Sequence, residues 1–206
     1  MKNKKRGFTI AEMLVTLGII SFLAVILIPA LEKTKPNQEH LMFRKAYYLI
    51  TNIVSEIVND PDLYPEPEDD ESFYLSNTVE VNYHDETYSG NTKFCEIFSS
   101  KLNTIMPPDC SEKVFVDKTT PEYQFKTTDN IAWILPISNF ENKDEKYPIY
   151  IDTNGEKAPN CTFHDEDEDF CKRPDRFTVY LKRNGKILIE GTKEKKYLES
   201  SDVSRG

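Results

Sequence analysis

Gly7-Phe8-Thr9-Ile10-Ala11-Glu12 opens an apolar run that decides how the rest of the chain is read. From Phe8 to Ile28 the only charged residue is Glu12. At the helical rise that run spans about 32 Å, close to the roughly 30 Å hydrocarbon thickness of a bilayer. Lys2, Lys4, Lys5 and Arg6 stand directly before it, and a basic block of this kind stays on the cytoplasmic side. The expectation is one membrane-inserted helix, with everything after Pro29 outside. Pro29 lacks a backbone donor and crowds the preceding turn, so a helix kink is expected there.

A carboxylate at the start of such a helix needs a reason. On insertion scales an ionisable residue within a membrane helix costs on the order of 2.5–3.5 kcal/mol. One reading keeps Glu12 shallow or protonated. The other has a cation meet it inside an assembly, and a cut after Gly7 creates one, the new α-amino group of Phe8. An ordinary secretory signal has an apolar core of about 7–15 residues followed by a small-residue cleavage site. The run here is longer and no such site follows it. A plain signal anchor fits the length but leaves Gly7-Phe8 and Glu12 as coincidences.

Lys-Lys-Arg-Gly-Phe-Thr-Ile-Ala-Glu-Met-Leu-Val-Thr-Leu-Gly-Ile-Ile, residues 4–20, resembles the N-terminus of type IV pilins and type II secretion pseudopilins. The resemblance covers the basic leader, the apolar run and Pro29 near its far end. It implies cleavage between Gly7 and Phe8 by a prepilin peptidase, then N-methylation of Phe8. It also implies that Glu12 pairs with the Phe8 amine of a neighbouring subunit during assembly on an inner-membrane platform. The division that follows is a leader at residues 1–7, a long N-terminal helix at 8–59 and an exported globular domain at 60–206. Residues 8–28 of the helix cross the membrane lipid.

Formal net charge is −9, and removing residues 1–7 leaves −13. An acidic exported domain is a poor nucleic-acid binder, because phosphate contacts need clustered Lys and Arg. Cys95, Cys110, Cys161 and Cys171 all follow the apolar run, and an even count in an exported domain favours disulfides. Three connectivities are open. Pairing of neighbours, Cys95 with Cys110 and Cys161 with Cys171, is the expectation, worth roughly 3 kcal/mol each by loop-closure entropy. A zinc site is the alternative, but no Cys-x-x-Cys pair is present and only His164 lies close.

Met42, Ala46, Leu49, Ile50, Ile53, Val54 and Ile57 recur at spacings of three and four, so they share one helix face. Pro36 marks the re-entry of that helix and Asn59-Asp60-Pro61 its end. Residues 60–72 form an acidic, proline-rich connector, expected to be a solvated loop. Phe94, Ile97, Phe98, Leu102 and Ile105 predict a short amphipathic helix closed by Pro107-Pro108. Short β-like runs follow at residues 113–117, 123–126, 131–135 and 147–151, with Trp133 expected in the core. The clearest hairpin joins Phe177–Leu181 to Ile187–Ile189 through Asn184-Gly185, read as a type I′ turn. Residues 191–206 are polar and expected to fray. The fold class is therefore α+β and, by the resemblance, pilin-like, with the long helix packed on a small antiparallel sheet.

Asp152-Thr153-Asn154-Gly155-Glu156-Lys157-Ala158-Pro159-Asn160 resembles the Asp-x-Asn-Gly-x-x-x-Pro-Asn segment of many pilin-like globular domains. Some pseudopilins hold calcium in a C-terminal loop, and calcium takes six to eight oxygens. By that resemblance Asp152 and Asn154, with Asp165, Asp167 and Asp169, are candidate calcium ligands. The other reading is a tight turn and a disulfide-bounded, solvated acid run. No Gly-x-Ser-x-Gly, P-loop, His-Glu-x-x-His or dinucleotide fingerprint is present, and no enzyme is expected. His40, His84 and His164 show no partner pattern. The resemblance implies a structural subunit of an envelope filament, anchored in the cytoplasmic membrane by one span with its C-terminal domain outside. A type II secretion pseudopilin acting in protein export is the favoured use. A type IV pilus subunit for adhesion, motility or DNA uptake is the alternative. A membrane-anchored exported hydrolase or binding protein is the alternative of another class.

Overall fold

A computed structural model describes residues 9–33, 38–65, 74–113, 122–155, 157–163, 171 and 173–199, with the side chains of 28–33 and Tyr74 outside the description. By contacts the chain divides into two units, residues 1–38 with 202–206, and residues 39–201.

The first unit contains helix α1, Ile10–Lys33. Its large apolar side chains are exposed on every side, Ile10, Leu14, Phe22 and Val25 by 65 % or more. Ile10–Leu27 is long and apolar enough to cross a membrane. A helix that is apolar all round is stable in lipid or when buried by other chains.

The second unit is a helix on a sheet. Helix α2, Gln38–Asn59, buries His40, Phe43, Ala46, Ile50, Ile53, Val54, Ile57 and Val58. Beneath it lies an antiparallel sheet in the order β3 (Phe125–Lys126), β4 (Ala132–Ile134), β5 (Tyr147–Asp152), β6 (Arg176–Leu181), β7 (Ile187–Leu188). Strands β5 and β6 form its centre, pairing Tyr147 with Leu181, Ile149 with Val179 and Ile151 with Phe177. These are the inward residues of two alternating strands, so each cross-strand pair is also a core contact. Phe43 stacks on Phe177 at 4.0 Å between ring centroids, fixing the helix to the sheet. Trp133 is fully buried, beside Phe98 and Phe125. A two-residue loop, His84-Asp85, joins β1 (Val81–Tyr83) to β2 (Glu86–Tyr88), and helix α3 spans Lys93–Ser100. Together these elements make an α+β, pilin-like architecture.

Several expectations are corrected. The face of α2 is carried by Phe43, fully buried, where Met42 and Leu49 are only half-buried. The connector after α2 is not wholly solvated: Leu63 and Tyr64 are buried, their amides bonded to the Asp60 carbonyl. Helix α3 ends at Ser100, so Ile105 is not on its face and stands 52 % exposed. Residues 192–199 are helix α4, Thr192–Glu199, which sets Tyr197 against Phe163, Phe177 and His40. The Nε2 of His40 contacts the Tyr197 carbonyl. The type I′ turn is also elsewhere. At Asn184-Gly185 only Gly185 has positive φ (77°), and Lys182 accepts from the Gly185 amide, a type I turn closed by a left-handed glycine. His84 and Asp85 instead both have positive φ, 50° and 66°, which is the type I′ requirement. The run 113–117 lies outside the described residues except for Lys113, which is not in a strand.

Candidate functional site: the start of α1 and the loop after β5

Glu12 sits in the first turn of α1. Its Oε2 accepts from the Thr9 amide and the Thr9 hydroxyl, each at 2.8 Å, while the Glu12 amide donates to Thr9 Oγ1 at 3.3 Å. This reciprocal pattern is a capping box, and Thr9-x-x-Glu12 was its signal in the sequence. The helix dipole favours a negative charge at that end. The carboxylate is thus held at the end of α1 that Phe8 precedes. Gly7 and Phe8 lie outside the described residues. Pro29 falls within α1.

The second candidate region is the turn between β5 and β6. Its organiser is Asp175, fully buried, a residue that no motif in the sequence marks. One carboxylate oxygen accepts from Asn154 Nδ2 (2.8 Å) and the Asn160 amide (2.9 Å), the other from the Cys161 amide (2.8 Å). Its backbone carbonyl accepts from the Thr153 amide and hydroxyl. Asp175 therefore binds both limbs of the loop. Gly155 closes it at φ +72°, where an added Cβ would also sit 3.1 Å from the Asn130 carbonyl. Asn130 Nδ2 donates to the Asn154 carbonyl.

Asp152, also fully buried, accepts from Arg176 Nε at 3.2 Å and from the Asn154 amide. Burial, with the neighbouring Asp175 charge, pushes its carboxyl up to about 7, against the downward pull of Arg176. Burial raises Asp175 too, opposed by the hydrogen bonds it accepts. The described members of the expected calcium set are thus engaged within the protein, Asp152 with Arg176 and Asn154 with Asp175. Asp165, Asp167 and Asp169 lie outside the described residues. Among the described residues no three His, Cys, Asp or Glu side chains are grouped to hold a metal ion.

Disulfides join Cys95 to Cys110 and Cys161 to Cys171. The first ties α3 to the segment running beside β3, and the second closes the span containing the acid run.

A family model described as the prokaryotic N-terminal methylation motif matches residues 2–28. The match covers the basic block, Gly7-Phe8, Glu12 and the apolar run, and it is consistent with the type IV pilin and pseudopilin family. The motif is one that points to a type IV pilin-like subunit. The apolar α1 fits a single-pass anchor in the inner membrane. No curated protein and no solved structure matches significantly.

Proposed function

We propose that this chain is a subunit of an envelope filament, specifically a type II secretion pseudopilin acting in protein export. The observation that carries the reading is the methylation motif over residues 2–28, running into a helix exposed on every side. In this reading residues 1–7 are removed, Phe8 becomes the methylated first residue, and residues 60–206 lie outside the membrane. The subunit waits in the bilayer with Glu12 capped by Thr9. On assembly the Phe8 amine of a neighbour neutralises Glu12, and the two charges leave the aqueous boundary as a pair. Packing of the α1 helices then forms the filament core, driven by close van der Waals contact in lipid. The globular unit has no chemical step to perform and serves as the rigid shell.

Pseudopili and type IV pili share this motif, so the experiment addresses the machine. Deletion of the gene is expected to abolish export of folded proteins while surface pili persist. Loss of surface pili with export intact would contradict the pseudopilin reading.

A further inference from the structure

Helix α4 places three lysines, Lys193, Lys195 and Lys196, within four residues, and all three are exposed. The acid among them, Glu194, is turned inward and only 6 % exposed. Gly191 allows this, because a Cβ there would lie 1.6 Å from Glu194 Oε2 and displace the carboxylate. A stretch of mixed charge therefore presents a basic outer face, in a chain that carries −13 without residues 1–7.

Packing fixes where that face lies. Tyr197 stacks on Phe177 at 5.8 Å between centroids and meets the His40 ring at 4.5 Å, and its carbonyl contacts His40 Nε2. His40 is the third residue of α2, so α4 lies against the first turn of that helix. Arg44 follows His40 by one helical turn on the same face and is half-buried. Among the described residues, none of Arg44, Lys195 and Lys196 takes part in an ion pair. The described acids at this end are Glu39, Glu199 and Glu190, and the last is paired with Lys146. Cations outnumber the acids that remain.

The same end carries the link to the membrane helix. Residues 34–37 join Lys33 of α1 to Gln38 of α2, a reach of at most about 18 Å. Lys33 lies six residues beyond Leu27, where the apolar span ends, or about 9 Å at the helical rise. With α1 in a bilayer, the start of α2 is thus tethered within about 27 Å of the hydrocarbon boundary in any orientation.

We propose that Lys195 and Lys196, with Lys193 and Arg44 beside them, dock on the anionic phospholipid headgroups of the bilayer that α1 spans. Basic residues next to a membrane span are drawn to anionic lipid over about a Debye length, roughly 10 Å in moderate salt. Leu41, 45 % exposed in the first turn of α2, offers an apolar side chain to the headgroup boundary at the same end. Because buried aromatic rings fasten α4 to α2 and β6, its contact with lipid orients the whole globular unit. The subunit is then held in one attitude on the membrane before it enters a filament. The inference rests on the reading of α1 as a membrane anchor and adds a lipid contact for the globular unit.

The test places the full chain in two kinds of nanodisc, phosphatidylcholine alone and equal parts of phosphatidylcholine and phosphatidylglycerol. Each contains a trace of lipid with a gadolinium chelate on its headgroup, which broadens the NMR signals of amides that approach it. The α4 amides from Lys193 to Leu198 are expected to broaden several-fold more in the anionic discs, and high salt should remove the difference. Lys195→Glu with Lys196→Glu should abolish it, whereas Lys195→Arg with Lys196→Arg should retain it. Core signals at Ile149 and Val179 should stay in place in both variants, which shows that the unit remains folded. Equal broadening of α4 in the two discs, or none, would overturn the lipid contact, while insertion of α1 would leave the anchor reading intact. A chain that inserts into neither disc would overturn both.

Discussion

Helices α1 and α2 are nearly equal in length, 24 and 22 residues, yet their side chains are disposed in opposite ways. In α1 apolar residues cover every face, and the one acid among the described side chains is bonded to its own helix start. In α2 apolar residues occupy one face, while Lys45, Thr51 and Ser55 stand in solvent on another. The difference reflects what each helix packs against. Helix α2 solves its burial problem within the chain, against β5 and β6. Helix α1 has no partner among the described residues of its unit, so its apolar surface needs lipid or other copies. One helix is covered within the fold, and the other leaves its apolar surface to lipid or to other chains.

This contrast is open to direct attack. The largest expected effect is on assembly: Glu12→Ala should leave α1 in the membrane but reduce filament incorporation to background, read as the sheared or crosslinked fraction. Unchanged incorporation would mean that the carboxylate serves only as a helix cap.

Next comes core truncation. Phe43→Ala should destabilise the globular unit by about 3–5 kcal/mol, the usual range for a buried aromatic. Phe22→Ala in α1 should leave the melting of that unit unchanged, as measured on the full chain in nanodiscs. Asp175→Ala strands three donors around the loop after β5, at about 1–3 kcal/mol for a buried unsatisfied group. Hydrogen exchange should then accelerate first at Asn160 and Cys161.

The pH response is smaller and has two arms. Asp152 is raised in the folded state to about 7, so its contribution to stability is full below the ordinary carboxylate range and is lost as pH rises through 7. Lys93 is buried, its Nζ donating to the Asn77 and Val79 carbonyls at 3.0 Å and lying 4.4 Å from the centroid of the Tyr64 ring. Burial lowers it to about 8, so the folded state sheds that proton first and stability recovers as pH rises from 8 towards its ordinary value of 10.5. Melting temperature attributable to these two groups should pass through a minimum between pH 7 and 8. Asp152→Asn should flatten the acid arm and Lys93→Met the alkaline arm. A wild-type profile that rises steadily from pH 4 to 8 would contradict the Asp152 assignment. The smallest effect is expected at the exposed pair Lys101–Glu56, where Glu56→Ala should cost under about 1 kcal/mol.

What the sequence disclosed divides along physical lines. Periodicity located α2 because its apolar face repeats over several turns, and alternation located β5 and β6 because both are long enough to show a period of two. The disulfides join cysteines that are neighbours in the sequence. What stayed hidden depends on single residues placed by tertiary contacts. Leu63 and Tyr64 carry no period and sit among prolines and acids, so nothing local distinguishes them from solvated neighbours. Helix α4 reads as polar because its docking rests largely on Tyr197. The His84-Asp85 turn has no glycine, though Asp and His tolerate positive φ better than most residues. Asp175 is separated from the Asn154-Gly155 motif by the cysteine-bounded insertion, and only folding brings them together. Thr9-x-x-Glu12 is legible as a capping box, because Thr at the N-cap and Glu three residues on precede an apolar run.

The central claim is that α1 is a processed assembly helix. Its most direct test is the intact mass and N-terminal peptide of the protein extracted from its native membrane. The account predicts a chain that begins at Phe8 and carries a methyl group on its α-amine. A chain that begins at Met1, or one cut beyond Pro29, would contradict it.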